Sequence, residues 1–426
     1  MSFSTLGLDS SLLATLTALG YTKPTSVQAQ AIPAALAGGD LLVSSQTGSG
    51  KTAAFILPGL TRLMAPPAAP ATGKGSSGPR MLVLAPTREL AMQVQKATHG
   101  YAAAQRLHSA CLVGGMPYGV QLSQLRRGVD IVIATPGRLK DHMDRGSADL
   151  SRVEILVLDE ADRMLDMGFQ EEIDAIVARV PAKRQTLLFS ATLEGVVGRL
   201  AQRVTKNAKR IDVAPAKETR PDITQHALFA DNGNHKERML DALLRETEVE
   251  QALVFTSTKR SAAELSLALQ GKGFAAGALH GDMHQRERTH TLQRLRDGRM
   301  RVLVATDVAA RGIDVPGINL VVNYDAPNQS EDYLHRIGRT GRAGRAGVAV
   351  TFLSRGERHL VKSLARSTGS NLSLMVIPGL EPKIQAEEGQ KPPYGRGERP
   401  PYGARQAPPY GRQKKGRTGG SARRFR

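Results

Sequence analysis

Ile155-Leu156-Val157-Leu158-Asp159-Glu160-Ala161-Asp162 sets four consecutive apolar residues against a cluster of carboxylates. An unbroken apolar run of this length reads as a strand buried on both faces, one of a parallel sheet covered by helices. Its carboxyl end then delivers charge to the crevice where open α/β sheets bind ligands. Far upstream, Ser45-Gln46-Thr47-Gly48-Ser49-Gly50-Lys51-Thr52 follows the apolar run Leu41-Leu42-Val43, a succession of strand, glycine-rich turn and helix start. In such a loop Gly48 and Gly50 let backbone N–H groups face phosphate oxygens, Lys51 reaches the β- and γ-phosphates, and Thr52 offers its hydroxyl to Mg²⁺. Asp159 then holds the ion through water, because Mg²⁺ keeps several waters and takes few protein carboxylates. Glu160 is placed to orient an attacking water. Together the two stretches imply a nucleoside triphosphate site.

The chain has 426 residues, more than one core usually supports, so two domains with additions are expected. Its 58 Lys and Arg against 39 Asp and Glu give a net charge of +19, which points to a polyanionic partner such as nucleic acid. No apolar run approaches the length of a bilayer span, and the first residues lack a basic-then-apolar leader pattern, so a cytoplasmic protein with no membrane partner is expected. The single cysteine, Cys111, excludes an internal disulfide and CxxC metal sites, and its strand-like surroundings make it an inert packing thiol.

Short apolar runs recur between helix-like segments at Leu41–Val43, Met81–Leu84, Cys111–Val113, Ile131–Ile133, Ile155–Leu158 and Leu187–Phe189. A second series follows at Ala227–Phe229, Leu253–Phe255, Ala276–Leu279, Val302–Val304, Leu320–Val322 and Val348–Phe352. Strands alternating with helices indicate doubly wound parallel sheets, here two copies of one α/β architecture in tandem. The expected domains are 1–208 and 223–378, joined by a linker at 209–222 that carries Pro215, Pro221 and several charges. Met64–Pro79, rich in Ala, Pro, Gly and Ser, reads as a surface loop within the first domain.

Residues 379–426 read as a basic tail. Pro-Pro-Tyr-Gly recurs at 392–395, 400–403 and 408–411, and from Lys391 onward eleven Lys and Arg stand against the single acid Glu398, so this segment carries +10 of the net charge. With almost no aliphatic residues it is expected to be disordered. Tyr394, Tyr402 and Tyr410 beside arginines suit stacking on nucleic-acid bases. A solubilising linker and a polyproline docking peptide are the alternatives.

Asp159-Glu160-Ala161-Asp162 together with Ser190-Ala191-Thr192, Pro86-Thr87-Arg88-Glu89-Leu90, Thr135-Pro136-Gly137-Arg138 and His335-Arg336-Ile337-Gly338-Arg339-Thr340-Gly341-Arg342 resembles the DEAD-box ATP-dependent RNA helicases. The match runs in order from about Phe3 to Ser354, and the compact core with a short basic tail is most similar to the bacterial RhlE-type group. The resemblance implies two RecA-like domains and assigns further roles. Gly20-Tyr21-Thr22-Lys23-Pro24-Thr25-Ser26-Val27-Gln28 matches the family's Q motif, with Phe3 as its upstream aromatic. Gln28 then pairs with adenine N6 and N7, which selects ATP. Arg339 and Arg342 match the arginine fingers, and Asp314 the acid that contacts ribose. Ser190 and Thr192 couple hydrolysis to closure.

RNA contacts implied by the resemblance are Pro86, Thr87, Arg88, Gly114, Gly115, Thr135 and Arg138 in the first domain, and Thr256, His280, Gly281 and Thr306 in the second. Small residues and hydroxyls suit phosphates and 2′-hydroxyls, so single-stranded and duplex RNA are recognised without regard to base sequence. The implied activity is RNA-stimulated ATP hydrolysis by a monomer, coupled to domain closure and local strand separation. An ATP-gated RNA clamp, a DNA helicase and an annealing protein remain as alternatives, and ribosomal or RNA-decay assemblies are the candidate partners.

Overall fold

The structure, a computed structural model, describes residues 2–45, 48–65, 78–213, 223–246, 248–310, 315, 317–327, 329–341, 345–368 and 371–383. Among the site residues named above, Gln46, Thr47, Asp314 and Arg342 lie outside them, as do 66–77 of the expected surface loop, 214–222 of the linker and 384–426 of the tail. No helix among the described residues is long and apolar enough to cross a membrane.

Two seven-stranded sheets follow one another along the chain. The first contains β1 (Leu41–Ser44), β2 (Met81–Leu84), β3 (Ser109–Leu112), β4 (Ile131–Ala134), β5 (Ile155–Leu158), β6 (Gln185–Ser190) and β7 (Lys209–Asp212). The second contains β8 (Ile223–Phe229), β9 (Gln251–Thr256), β10 (Ala276–Leu279), β11 (Val302–Thr306), β12 (Ile318–Asn323), β13 (Gly347–Leu353) and β14 (Ser373–Leu374). Their orders, β3-β4-β2-β5-β6-β1-β7 and β10-β11-β9-β12-β13-β8-β14, are the same permutation, and every pairing is parallel. The chain is thus one architecture repeated, as the spacing of its apolar runs indicates.

The apolar runs form the interior strands because each must fill two cores. Met81, Val83, Ile131, Ile133, Ile155 and Val157 face one layer, while Leu82, Leu84, Val132, Leu156 and Leu158 face the other. The second sheet repeats this, with Ala252, Val254, Val302 and Val304 on one side and Leu253, Phe255 and Leu303 on the other. Burying one such side chain contributes about 1.5–3 kcal/mol, and a one-residue slip would exchange the two faces of a strand.

Two boundaries differ from the sequence reading. Lys209–Asp212, placed in the linker, is the edge strand β7, paired with β1 from Leu41↔Lys209 to Ser44↔Asp212. Only Ile211 of that strand is buried, so it carries no apolar run. The second domain continues past 378. Leu380 packs on its core, its carbonyl meets His235 Nε2 at 3.0 Å, and the Lys383 N–H donates to Asp231 Oδ2 at 3.0 Å.

Candidate functional site

The sheet order decides which loops meet. β6 lies between β1 and β5, so the glycine-rich turn after β1 and the acids after β5 flank Ser190 at the end of β6. The register brings Ser44 beside Ser190, and the Ser45 N–H donates to the Ser190 carbonyl at 3.1 Å. Gly50 is the N-cap of the helix Lys51–Met64, at φ 91° in the left-handed region that favours glycine. A Cβ there would stand 2.5 Å from Gln28 Nε2, so a larger residue would also displace the Gln28 amide. Buried Lys51 donates from Nζ to the Ser45 carbonyl at 3.1 Å, and Ser49 Oγ donates to Ser45 Oγ at 3.3 Å.

Asp159 is buried, and its Oδ1 has no hydrogen-bond partner among the described residues. Burial pushes its carboxyl up to about 7 against the opposing pull of the Lys51 charge, with Glu160 adding to the rise. An orphaned buried carboxylate oxygen in the same crevice as half-buried Thr52 fits a hydrated Mg²⁺ with few protein ligands. Glu160 sits at φ 52°, ψ 54°, a left-handed conformation for a side chain with a Cβ, as N-cap of the helix Ala161–Asp166. Such a conformation costs on the order of 1–3 kcal/mol and is characteristic of active sites. Asp162, the last acid, is structural: Oδ1 accepts from the Arg163 N–H at 3.0 Å and Oδ2 from the Ala191 N–H at 3.1 Å. That second bond ties the acidic turn to Ser190-Ala191-Thr192, where the Thr192 N–H donates to Ser190 Oγ at 3.3 Å.

The proposed base-reading residues have other partners. Thr25 and Gln28 form a capping box on the helix Ser26–Leu36, in which Gln28 Oε1 accepts from the Thr25 N–H at 2.9 Å. Gln28 Nε2 donates to the Gly50 carbonyl at 3.1 Å. Each end of the amide holds one of these partners, which leaves one N–H and one acceptor lone pair of Gln28 for a further partner such as adenine. Phe3 is a core residue, 4% exposed and edge-on to Tyr21 with ring centroids 6.4 Å apart, while Tyr21 is 40% exposed. Of the two aromatics, Tyr21 is the one that offers surface to a ligand.

A cavity of about 400 Å³ lies between the two halves. Pro86, Thr87, Arg88, Gly114, Thr135 and Arg138 line it from the first half and Gly281 from the second. Gly115, Thr256, His280 and Thr306 are not in its lining. Gly115 packs under Arg88, and Thr256 is fully buried, donating from Oγ1 to the Thr258 carbonyl at 3.3 Å. The His280 carbonyl accepts from Arg288 at 2.8 Å, and Thr306 is the register neighbour of Thr256. Thr87 caps the helix Arg88–Tyr101 by accepting from the Leu90 N–H at 3.2 Å. Burial lowers the pKa of Arg88 and the charges of Arg288 and Arg138 lower it further, with Glu89 opposing, so cationic charge is crowded at this wall.

Sequence reasoning did not single out Arg288, Gln285, Met167 or Phe169, although all stand at or beside this cleft. Glu89 lies within a quoted motif, but no role was assigned to it. Its partner Arg288 is 199 positions away, and nothing local marks such a pair. The second half also contributes Arg339, 6% exposed, with Nε donating to the His335 carbonyl at 3.2 Å. It shares a small cavity with Arg163, which follows the acidic turn. Cys111 is half-buried, and burial pushes its thiol up to about 12, in keeping with a packing role.

Two family models match in tandem: DEAD/DEAH box helicase over residues 25–200 and helicase conserved C-terminal domain over residues 235–344. ATP-dependent RNA helicase DeaD of Escherichia coli (strain K12) is 46% identical over 381 residues, covering 89% of this chain and 59% of that relative. DeaD of Klebsiella pneumoniae is 45% identical over 381 residues, with coverage of 89% and 58%. The chain thus spans about three-fifths of the length of these curated relatives. The solved structure of S. cerevisiae Dbp5 bound to RNA and ADP BeF3 is 31% identical, with a TM-score of 0.78 over 88% of this chain and 95% of that one. The chain belongs to the DEAD/DEAH box helicase family.

Proposed function

We propose that this chain is an ATP-dependent RNA helicase whose RNA-stimulated hydrolysis is coupled to closure of its two halves and to local strand separation. The observation that carries this reading is the small cavity lined both by Arg339, from the second half, and by Arg163, on the helix that starts after Glu160. An arginine supplied across a domain boundary makes hydrolysis depend on closure. RNA bound in the basic cavity beside it touches both halves and so favours that closure.

Lys51, released from the Ser45 carbonyl, binds the phosphates. Glu160, held in its left-handed conformation, orients the attacking water and accepts its proton. Arg339 and Arg342 stabilise charge on the transferring phosphoryl group. Mg²⁺, when bound through Asp159 and Thr52, would neutralise charge on the phosphate oxygens. Asp162 links the acidic turn to the end of β6, which gives closure a route to Ser190 and Thr192. Asp314, outside the described residues, is assigned to ribose, and Gln28 to adenine through its remaining N–H and acceptor lone pair. Thr256, His280 and Thr306 are assigned to the RNA path beyond the cavity.

The test is ATP turnover with RNA and with DNA of one sequence, alongside displacement of a short RNA duplex. Turnover indifferent to both polymers would sink the reading. Stimulation by RNA without displacement would favour the ATP-gated clamp, which two buried ion pairs across the halves, Glu89–Arg288 and Arg163–Asp332, support. The RhlE-type affiliation, the monomeric state, the cytoplasmic placement and the ribosomal or RNA-decay partners belong to the same proposal. Gel filtration and crosslinking to cellular RNA test the state and the partners.

A further inference from the structure

Arg163 and Asp332 are given no part in binding or hydrolysis above, yet they join the helix that follows Glu160 to the one that precedes Arg339. Arg163 is on the helix Ala161–Asp166, capped by Glu160, and Asp332 is on the helix Ser330–Ile337, which leads into Arg339. Arg163 meets Asp332 Oδ1 at 3.3 Å, with the arginine side chain 3% and the aspartate side chain 18% exposed. Both residues line the same small cavity as Arg339, together with His335, Arg336 and Asp307.

Each helix is also bonded into its own half. The first is tied to the end of β6 through Asp162 and Ala191. The second is held by Arg336, which grips Asp307 with two bonds of 2.6 and 2.7 Å and also donates to the Asn323 side chain at 3.2 Å and the Asp325 carbonyl at 2.7 Å. The ion pair therefore bridges two helices that are each held by side-chain bonds within their own half.

We propose that the Arg163–Asp332 pair sets the placement of Arg339 against the Glu160 site, making both residues positioning residues for hydrolysis. A guanidinium contributes to the transition state only when held close to its productive geometry, and misplacement by about 1 Å can cost on the order of a hundredfold. A desolvated ion pair that spans the domain boundary provides such a hold only when the halves are docked. The charge facing Arg163 matters because a buried guanidinium without it would resist closure.

The inference rests on the helicase reading, so the wild-type chain is assayed first. Absence of RNA-stimulated ATP turnover there would remove that reading. Given stimulation, Asp332→Asn and Arg163→Met are each expected to lower kcat at saturating RNA about tenfold, with affinity for a fluorescent ATP analogue held within about twofold. The double variant should be no worse than either single one, and the exchange R163D/D332R should recover part of the loss. Arg163→Lys, which keeps the charge, should fall between Met and wild type, and it serves if Arg163→Met fails to fold. Unchanged kcat in Asp332→Asn, or losses that multiply in the double variant, would overturn the proposal. So would a raised KM for ATP with kcat intact.

Discussion

Glu89 and Arg288 form a buried ion pair across the two halves of the chain, with Arg288 bonding Glu89 Oε1 at 2.6 and 2.7 Å and both side chains 6% exposed. The pair lines the cavity assigned to RNA. Breaking a buried pair by removing one partner typically costs 3–5 kcal/mol, because the other charge is left uncompensated. Arg288→Met should therefore place an uncompensated carboxylate against the RNA path and weaken RNA binding by about tenfold or more. Glu89→Gln in that background should restore part of the affinity. Fluorescence anisotropy with a labelled RNA and a non-hydrolysable ATP analogue is the measurement, and equal affinity in the two variants would show that the pair does not act on the ligand.

Glu160→Gln removes the proton acceptor while keeping shape and the left-handed cap. ATP binding should stay near wild type, while RNA-stimulated turnover falls by roughly 10²–10⁴-fold. Wild-type turnover in this variant would remove Glu160 from the water-orienting role.

Arg339→Ala removes a charge brought in from the second half. The expected loss at saturating RNA is about 10³-fold or more in kcat, with only modest change in nucleotide affinity. A rate unchanged from wild type would place Arg339 outside the reacting site.

Asp159 is held neutral more readily in the folded chain than in the unfolded one, because burial pushes it up to about 7. Its contribution to stability is therefore full in acid and is lost as pH rises toward 7. Asp159→Asn abolishes this titration, so the variant lacking nucleotide should melt roughly 2–6 °C above wild type at pH 8, with the gain shrinking as pH falls toward 5. Added Mg²⁺ and ATP analogue should raise the wild-type midpoint but not that of the variant. A variant that melts below wild type at pH 8 would contradict the cost assigned to the buried carboxylate.

Fold class was legible because interior parallel strands bury both faces, which turns them into apolar runs such as Ile155–Leu158 with no polar alternation. The edge strands β7 and β14 were not, since β7 buries Ile211 alone and both residues of β14 are exposed. The glycine-rich turn and the acids were legible because phosphate and metal chemistry restrict residue type at short spacing. For Gln28 the amide chemistry was legible, while its two partners within the fold, the Thr25 N–H and the Gly50 carbonyl, were not.

The amino-acid sequence by itself determined the two repeated α/β units, the nucleotide-binding turn and the acidic strand end, because each rests on local periodicity or local chemistry. The tertiary structure alone decided which residues face each other between the halves. Arg163 finds Asp332 across 169 positions and Glu89 finds Arg288 across 199. Those pairings depend on the docking of two separately folded sheets, and a charge on an amphipathic helix has the same local pattern whether it meets solvent or an opposite charge on another domain.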